Sequence, residues 1–401
     1  MNEGKEGRRT SVFSNGLIWF GAAVSIAEIL TGTYIAPLGM ARGAAAVLAG
    51  HVIGCVLLFF AGYIGAASRR SAMETVKFSF GAWGGRFFAL LNVLQLVGWT
   101  GIMVYDGAIS AGGIFGGARQ VWAAAIGVLI VLWLLLGVAR LRNVSAVAMG
   151  ALFLLTVVLS IVVFSGGVPA ASAAAPGALS FGAAVELSAA MPISWLPLIS
   201  DYTKDAERPL AATAASAAVY GAVSCWMYII GMGAAVFTAE GGIAAILVKA
   251  GLGAAGLAVI VLSTVTTTFL DAFSAGMSAE TAFPNVSGRR AAVAAAAVGT
   301  ACAMLFPMDD ITDFLYVIGS VFAPMISILI ANWFVLKSDS SARRIDVLNC
   351  CVWLAGFAVY RIFMRFDFAV GSTLPSMAAA FALCIAAGAV RQKLRGSGGA
   401  A

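Results

Sequence analysis

Charged residues are scarce in this sequence. Lys, Arg, Asp and Glu together make up 10% of its 401 residues, whereas 61% are hydrophobic. Soluble domains carry about 25% charged residues, so this composition excludes an ordinary soluble protein. Unpaired backbone groups are too costly in hydrocarbon, and therefore apolar runs of roughly 20 residues predict membrane-spanning helices. The sequence thus predicts an all-α polytopic membrane protein.

Several signatures of enzymes are also missing. The chain has a single histidine, His51, and six cysteines without CxxC spacing, which we interpret as small buried hydrophobic residues. No GxxxxGK[ST] loop, metal-ligand cluster or hydrolase nucleophile motif occurs. We therefore expect that the protein is not an enzyme, that ATP does not drive it and that it holds no cofactor. His51 lies in an apolar segment, where we expect a neutral ring hydrogen-bonded to a neighbouring helix.

Charged breaks divide the chain into about twelve apolar segments, with ends uncertain by a few residues: 16–40, 43–66, 83–112, 120–138, 144–166, 182–200, 211–237, 252–279, 290–307, 311–336, 346–365 and 370–390. Nineteen of the 24 Lys and Arg residues fall in alternate loops, on the side that holds both termini. The positive-inside rule then predicts an inner (cytoplasmic) membrane protein with both termini in the cytoplasm. The net charge of +6 belongs to these loops and does not indicate a nucleic-acid partner.

Two segments carry helix-breaking residues at membrane depth. The first reads GAAVSIAEILTGTYIAPLG, and the sixth reads GAAVELSAAMPISWLPLISDYTK. Discontinuous helices at corresponding positions of two halves are typical of secondary transporters, because their freed carbonyls and half-helix ends bind ions and substrate. The expected partners are therefore a small solute and the lipid bilayer, with no obligatory protein partner.

Four acidic residues fall inside predicted spans more than three residues from either end, namely Glu28, Asp106, Glu186 and Asp271. An acid in the membrane is a functional candidate, because placing it at a helix centre costs about 2.5 to 3.5 kcal/mol. Glu28 and Asp271 lie deepest, and each is a candidate to bind substrate or to carry a coupling proton. Two interpretations of Asp106 and Glu186 stay open: function, or solvation near a helix end.

The eighth segment carries hydroxyl residues along one side. Thr264, Thr268 and Asp271 recur at helical spacing, and Ser263 and Thr267 form a neighbouring stripe. Oxygen ligands suit a hard cation such as sodium. The alternative is packing between helices through small hydroxyl residues.

The third segment places Asn92, Gln95 and Trp99 on one helical face. Together with Trp195 at the break of the sixth segment, they are suited to sandwich a planar heterocycle and to hydrogen-bond its edge. For the remaining tryptophans considered we expect positions at the membrane interface: Trp19, Trp83, Trp122 and Trp333.

Four stretches carry a family resemblance: FSNGLIWFGAAVSIAEILTG, LQLVGWTGIMVYDGA, SWLPLISDYTK and LDAFSAGMS. Over nearly its whole length the chain resembles the nucleobase cation symporter family, or purine-cytosine permeases, and specifically its CytX-type branch of hydroxymethylpyrimidine transporters. The resemblance implies a LeuT-like fold with two inverted five-helix repeats, at 16–166 and 182–336, and two further helices at 346–390. Residues 1–15 and 391–401 would then be cytoplasmic tails.

The resemblance also implies a site between broken helices one and six and helices three and eight. For substrate binding it points to Gln95, Trp99, Ser194, Trp195, Thr268, Asp271 and Glu28. For a sodium ion it points to Ala23, Ser25, Ser263, Thr264 and Thr267. Many relatives place an asparagine on the substrate from helix eight, where this chain has Thr268 or Phe269 and then Asp271.

These expectations combine into a hypothesis of function. We expect import of a pyrimidine, hydroxymethylpyrimidine or alternatively cytosine, by sodium or proton symport with alternating access. A passive channel or facilitator is the alternative from another class.

Overall fold

The computed structural model describes residues 9–136, 138–165, 179–238 and 253–397. Within these ranges the regular elements are helices, and the one β-bridge joins Thr10 to Ala206. The helices are α1 Val12–Ala23, α2 Ile26–Ile35, α3 Met40–Ser68, α4 Ala72–Phe115, α5 Arg119–Leu136, α6 Val138–Phe164, α7 Phe181–Ser194, α8 Ile199–Thr203, α9 Pro209–Thr238, α10 Gly253–Ala282, α11 Gly288–Leu305, α12 Ile311–Ile330, α13 Val347–Phe363 and α14 Thr373–Ser397. A 3-10 turn, Ala36–Leu38, follows α2, and a π-helical turn, Ala331–Leu336, follows α12. The predicted all-α class is confirmed.

Each of the twelve apolar segments overlaps at least one of these helices. By length and apolar composition, seven described helices can cross a bilayer, or eight if the bent pair α1 and α2 is one span. Twelve crossings, the 5+5+2 arrangement and cytoplasmic termini therefore stay predictions. Parts of the predicted tails, 1–8 and 398–401, and the connections 166–178 and 239–252 lie outside the described residues.

Both predicted helix breaks are confirmed. Helix α1 ends at Ala23 and α2 begins at Ile26, with a bend of 55° between them. Helix α7 ends at Ser194, and α8 begins only at Ile199. Pro197 lies in this second gap, where its missing N–H and fixed φ do not permit a regular helix to continue. The breaks leave backbone carbonyls without helical donors in the middle of the protein.

The helices pack in two groups. Helices α1, α2 and α3 pack on α9, and α3 also runs along α7. In the second group α4 packs along α10 and α11, and α5 packs on α4 and α11. The broken helices contact α4 and α10, so the breaks lie where the two groups meet.

Glycines bring the helices of the first group into backbone contact. A Cβ atom at Gly32 of α2 would lie 2.2 Å from the Tyr228 carbonyl oxygen of α9. A Cβ atom at Gly231 of α9 would lie 2.0 Å from the Ile29 carbonyl oxygen of α2. Small residues allow such close approach in membrane bundles, so α2 and α9 are held together along their backbones.

The cysteine prediction is right only in part. All six thiols are free, but Cys384 alone is buried; Cys351 is exposed, and the other four are half-buried. In a chain this apolar the outer face of a helix is as hydrophobic as its inner face, so hydrophobicity does not predict which cysteines lie inside.

The loop before α13 is joined to a kink in α4. The kink is at Gly81, which has φ of 76°, a left-handed conformation that favours glycine. It frees the N–H groups of Ala82 and Trp83, which donate to the carbonyls of Arg343 and Arg344 at 3.0 and 2.8 Å. The last two helices are thereby attached to α4.

An ion pair holds α13 to α14. Asp346 caps α13, its side chain is fully buried, and both of its oxygens accept hydrogen bonds from Arg391 of α14 at 2.8 and 2.5 Å. Burial alone raises the pKa of Asp346, but hydrogen bonds from Arg391, Ser340 and the Asn349 backbone N–H outweigh it, so the net pKa lies below the usual value.

Candidate functional site

A small cavity lies where the two broken helices meet α4 and α10. The centre of a water molecule can reach about 20 Å³ of it, which is room for about one water. A six-membered ring therefore enters only if the surrounding side chains move. The lining residues come from both helix breaks and from α4 and α10: Ser25, Ala27, Glu28, Trp99, Met103, Met191, Ser194, Trp195, Thr267 and Asp271.

Two carboxyl groups line this cavity, and they differ in their partners. Glu28 is 1% exposed and accepts hydrogen bonds from the Tyr220 hydroxyl, at 3.1 Å, and from the Ser25 hydroxyl. Asp271 is 4% exposed, and no donor among the described residues reaches its carboxyl group. No described Lys, Arg or His lines the cavity. The cavity is thus acidic, and one of its acids has unused acceptor capacity.

The predicted tryptophans Trp99 and Trp195 both line the cavity and are each 6% exposed. The expectation for Trp19 at the membrane interface is wrong. Trp19 is 1% exposed and packs edge-on against Trp195, with ring centroids 5.4 Å apart. It also packs edge-on against Tyr202 and Tyr220. Its neighbours come from the break after α7, from α8 and from α9, all distant in sequence, so the sequence pattern around Trp19 did not reveal this burial.

The predicted amides hold the break of the sixth segment instead of lining the cavity. Gln95 Nε2 donates to the Ser194 carbonyl at 3.0 Å, and Asn92 Nδ2 donates to the Pro197 carbonyl at 3.1 Å. The Gln95 Oε1 atom is buried without a hydrogen-bond partner among the described residues. Gln95 therefore lies beside the cavity with an acceptor still free, and its role in substrate binding stays a prediction.

Hydroxyl groups of α10 reach carbonyls that the first break exposes. Ser263 Oγ donates to the Val24 carbonyl at 2.6 Å, and Thr267 Oγ1 donates to the Gly21 carbonyl at 3.4 Å. Hydroxyl and carbonyl oxygens of this kind are hard ligands. The role of Ser263 and Thr267 in binding a cation stays a prediction.

The other predicted cation ligands are placed differently. The Ala23 carbonyl accepts the Ser25 N–H at 3.0 Å, and the Ser25 hydroxyl donates to Glu28. The Thr264 and Thr268 hydroxyls are buried without hydrogen-bond partners among the described residues and do not line the cavity. Ser263 and Thr267 are thus the hydroxyl residues of α10 that reach the first break.

The two acids whose role the sequence left open, Asp106 and Glu186, are both buried. Glu186 is 4% exposed and accepts hydrogen bonds from the Tyr360 hydroxyl at 2.6 Å, the Thr373 hydroxyl at 2.5 Å and the Thr373 N–H at 2.8 Å. Asp106 of α4 is 9% exposed, and its Oδ2 has no hydrogen-bond partner among the described residues. Neither acid lines the cavity. Glu186 borders a second, more open pocket near the start of α7, so both interpretations of these two acids stay open.

His51 is hydrogen-bonded to neighbouring helices, as predicted. Its Nδ1 lies 2.7 Å from Ser188 Oγ of α7, and its Nε2 lies 2.7 Å from Ser224 Oγ of α9. The ring joins α3, α7 and α9 and does not line the cavity.

The structure adds four residues that sequence reasoning missed. Ala27, Met103 and Met191 line the cavity, and Tyr220 of α9 donates to Glu28. Met103 follows Trp99 by one helical turn, so helical periodicity alone was enough to find it. Nothing in the sequence pointed to Tyr220, because its contact with Glu28 spans 192 residues.

A family model and a sequence relative point to the same family. A family model described as permease for cytosine/purines, uracil, thiamine, allantoin matches residues 4–343. The cytosine permease of Escherichia coli (strain K12) is 26% identical over 321 residues, which are 78% of this chain and 75% of that permease.

Solved structures with the same fold are also transporters. Mhp1, a nucleobase-cation-symport-1 family transporter in a closed conformation with bromovinylhydantoin bound, has a TM-score of 0.77 at 19% identity, over 94% of this chain and 92% of that one. A Na⁺-coupled sialic acid symporter in a substrate-bound outward-open state has a TM-score of 0.69 at 13% identity, over 97% and 91%. At these identities the likeness shows the fold alone.

Proposed function

Because the chain belongs to the permease family for cytosine/purines, uracil, thiamine and allantoin, we propose that it is a secondary active transporter importing a pyrimidine by cation symport. The observation that carries this proposal is the cavity at the two helix breaks, which combines the indoles of Trp99 and Trp195 with polar groups. Aromatic faces accept a flat ring, and the polar groups select its edge. Alternating access would open the cavity to each side of the membrane in turn.

Hydroxymethylpyrimidine is the proposed substrate, on the basis of the sequence resemblance. Cytosine is the second candidate, favoured by the 26% identity with the Escherichia coli cytosine permease. Both carry an aromatic six-membered ring with an exocyclic amine.

The proposed driving force is a cation gradient. The group of oxygens formed by Ser263, Thr267 and the carbonyls of Gly21 and Val24 supports sodium as the coupled ion. A proton carried by Glu28 or Asp271 is the alternative. We further propose that the protein lies in the inner membrane with both termini in the cytoplasm, on the basis of the asymmetry of Lys and Arg.

The test is uptake of radiolabelled hydroxymethylpyrimidine and cytosine into proteoliposomes, with an inward sodium gradient, an inward proton gradient or neither. The proposal expects accumulation above the outside concentration with one of the gradients. Equilibration without any gradient effect would identify a facilitator instead. Failure to take up either pyrimidine would refute the proposed substrate class.

Two variants of α4 locate the site in the same assay. Trp99→Ala removes a cavity indole and should weaken apparent affinity roughly 10- to 100-fold, because stacking of a base on an aromatic ring contributes about 1–3 kcal/mol. Trp83→Ala is the matched control, since Trp83 is 50% exposed and outside the cavity. Equal effects of both variants would contradict the assignment of the site.

A further inference from the structure

The cavity holds an acceptor that the protein itself does not use. Asp271 is more than nine-tenths buried and lines the cavity, yet no described residue donates a hydrogen bond to it. Buried polar groups in native proteins are nearly always paired. Donors for this carboxyl group must therefore come from whatever occupies the cavity, and a substrate that displaces water from it must bring donors of its own.

The surroundings of Asp271 favour a positively charged partner. The second acid of the cavity, Glu28, adds to the negative potential, and no described basic residue lines the cavity to offset it. The indoles of Trp99 and Trp195 also line it, and aromatic faces attract cations. A flat cationic ring matches all of these features together.

We infer that Asp271 determines the substrate class, by binding the amidine edge of a protonated aminopyrimidine with its carboxylate. This inference rests on the proposed pyrimidine transport and narrows it to amino-substituted rings. In the complex the exocyclic amine and the adjacent ring nitrogen each donate one N–H to one carboxylate oxygen, so two parallel donors match the two oxygens. Cytosine takes up its proton at this adjacent nitrogen, whereas a free 4-aminopyrimidine takes it up mainly at the ring nitrogen opposite the amine. For the 4-aminopyrimidine the carboxylate therefore stabilises the form that carries the same proton on the adjacent nitrogen, and the complex keeps all atoms and the charge of its components.

Oxopyrimidines fit the same carboxylate poorly. At the corresponding edge they present one N–H donor beside one carbonyl oxygen, and that oxygen would face a carboxylate oxygen. One charged hydrogen bond is lost and a repulsion is gained, so the aminopyrimidine should bind roughly 10- to 100-fold more tightly.

An asparagine at this position would remove the discrimination. Its amide has one donor side and one acceptor side, so in one orientation it pairs with a neutral aminopyrimidine and in the flipped orientation with an oxopyrimidine. Asp271→Asn should therefore bind the two ligands within about threefold of each other, because both now make neutral hydrogen bonds of similar strength.

The experiment measures equilibrium binding to the purified full chain in detergent, by competition with radiolabelled hydroxymethylpyrimidine. The probes are two matched pairs: hydroxymethylpyrimidine with its 4-oxo analogue, and cytosine with uracil. The control is Asp106→Asn, which makes the same change at another buried acid of the membrane region, outside the cavity. We expect the amino preference in the wild type and in Asp106→Asn, and its collapse in Asp271→Asn.

The outcomes separate the inference from the proposed function. If the wild type binds oxo and amino rings equally, or if Asp271→Asn keeps the wild-type preference, the inference is overturned while pyrimidine transport stands. If the folded wild type binds none of the four pyrimidines, the proposed function fails and this inference with it. Should Asp271→Asn not fold, the wild type alone decides: affinity must rise along a series of 4-aminopyrimidines of increasing ring basicity, and a flat series overturns the inference.

Discussion

Asp271 and Glu186 are acids at membrane depth, and each is 4% exposed. Glu186 accepts three hydrogen bonds from residues of the last two helices, whereas none of the described residues donates to Asp271. A buried carboxyl group with its donors in place stabilises a particular packing. A buried carboxyl group without donors costs stability, which a protein tolerates where a ligand uses the group.

Burial alone thus does not distinguish a structural acid from a functional one, but the donors do. Asp346 belongs with Glu186, since both of its oxygens are hydrogen-bonded to Arg391. The expected consequences of changing these acids differ in size and in kind.

The largest effect should come from Asp346→Ala. The substitution leaves Arg391 without its counter-ion, so the free energy of unfolding should fall by about 3 kcal/mol. This value is the lower end of the range for a broken buried pair, because the Arg391 side chain is 25% exposed and therefore partly solvated. Thermal unfolding in detergent measures the loss. The control is Asp339→Ala, which changes an exposed acid of the same loop and should have little effect on thermal unfolding. Equal losses of stability in the two variants would mean that the pair of Asp346 and Arg391 contributes nothing.

The same pair predicts the effect of acid. The folded pKa of Asp346 lies below its usual value of 3.8, so its contribution is present above the unfolded-state pKa. That contribution is lost as the pH falls through the lowered folded pKa. Wild-type stability should therefore fall more than that of Asp346→Ala as the pH drops below about 4, and parallel curves would contradict this assignment.

The next effect should come from Glu186→Ala. Loss of a carboxylate that accepts charged hydrogen bonds should lower the free energy of unfolding by about 2 kcal/mol. The protein that remains folded should keep its apparent affinity for the pyrimidine, because Glu186 does not line the cavity. Normal stability combined with lost uptake would place Glu186 in the transport path and break the comparison with Asp271.

A smaller effect is expected for Ser263→Ala. Loss of one of four oxygen ligands should raise the sodium concentration for half-maximal uptake by roughly fivefold, since one such contact contributes about 1 kcal/mol. Thr266→Ala is the neighbouring control, because its hydroxyl donates within α10 to the Leu262 carbonyl at 2.8 Å. If both variants shift the sodium dependence equally, or if sodium has no effect on the wild type, the cation site is wrong.

The smallest effect on stability is expected for Asp271→Asn. The substitution preserves volume and removes no hydrogen bond from a described residue, so the free energy of unfolding should change by no more than about 1 kcal/mol, less than for Asp346→Ala or Glu186→Ala. A clearly larger loss in thermal unfolding would show that Asp271 holds the helices together as Glu186 does.

The sequence was sufficient for features that depend on neighbouring residues. Both helix breaks were predicted from local proline, glycine and polar residues, and Trp99 and Trp195 were placed correctly beside the cavity. It was insufficient where partners are distant. Tyr360 and Thr373 lie 174 and 187 residues from Glu186, and no local pattern specifies such contacts.

The cavity amides show a second limit of sequence reasoning. Gln95 was predicted to bind substrate, yet its amide donates to the Ser194 carbonyl. The carbonyls freed by a helix break accept hydrogen bonds from side-chain amides just as a ligand does. Helical periodicity does not predict whether a given amide will bind the break or the ligand.

The attachment of the last two helices has a consequence for how the chain is made. A ribosome produces the N-terminal part first, so Glu186 and the kink at Gly81 exist before Tyr360, Thr373 and Arg343 have been synthesised. During that interval the acid of α7 and the free N–H groups of α4 have none of their final donors and acceptors. Synthesis of α13 and α14 therefore supplies the last hydrogen-bond partners of α7 and α4. A nascent chain stopped before that point would leave the Glu186 carboxyl group and these N–H groups unpaired, where the cell's quality-control machinery can recognise them.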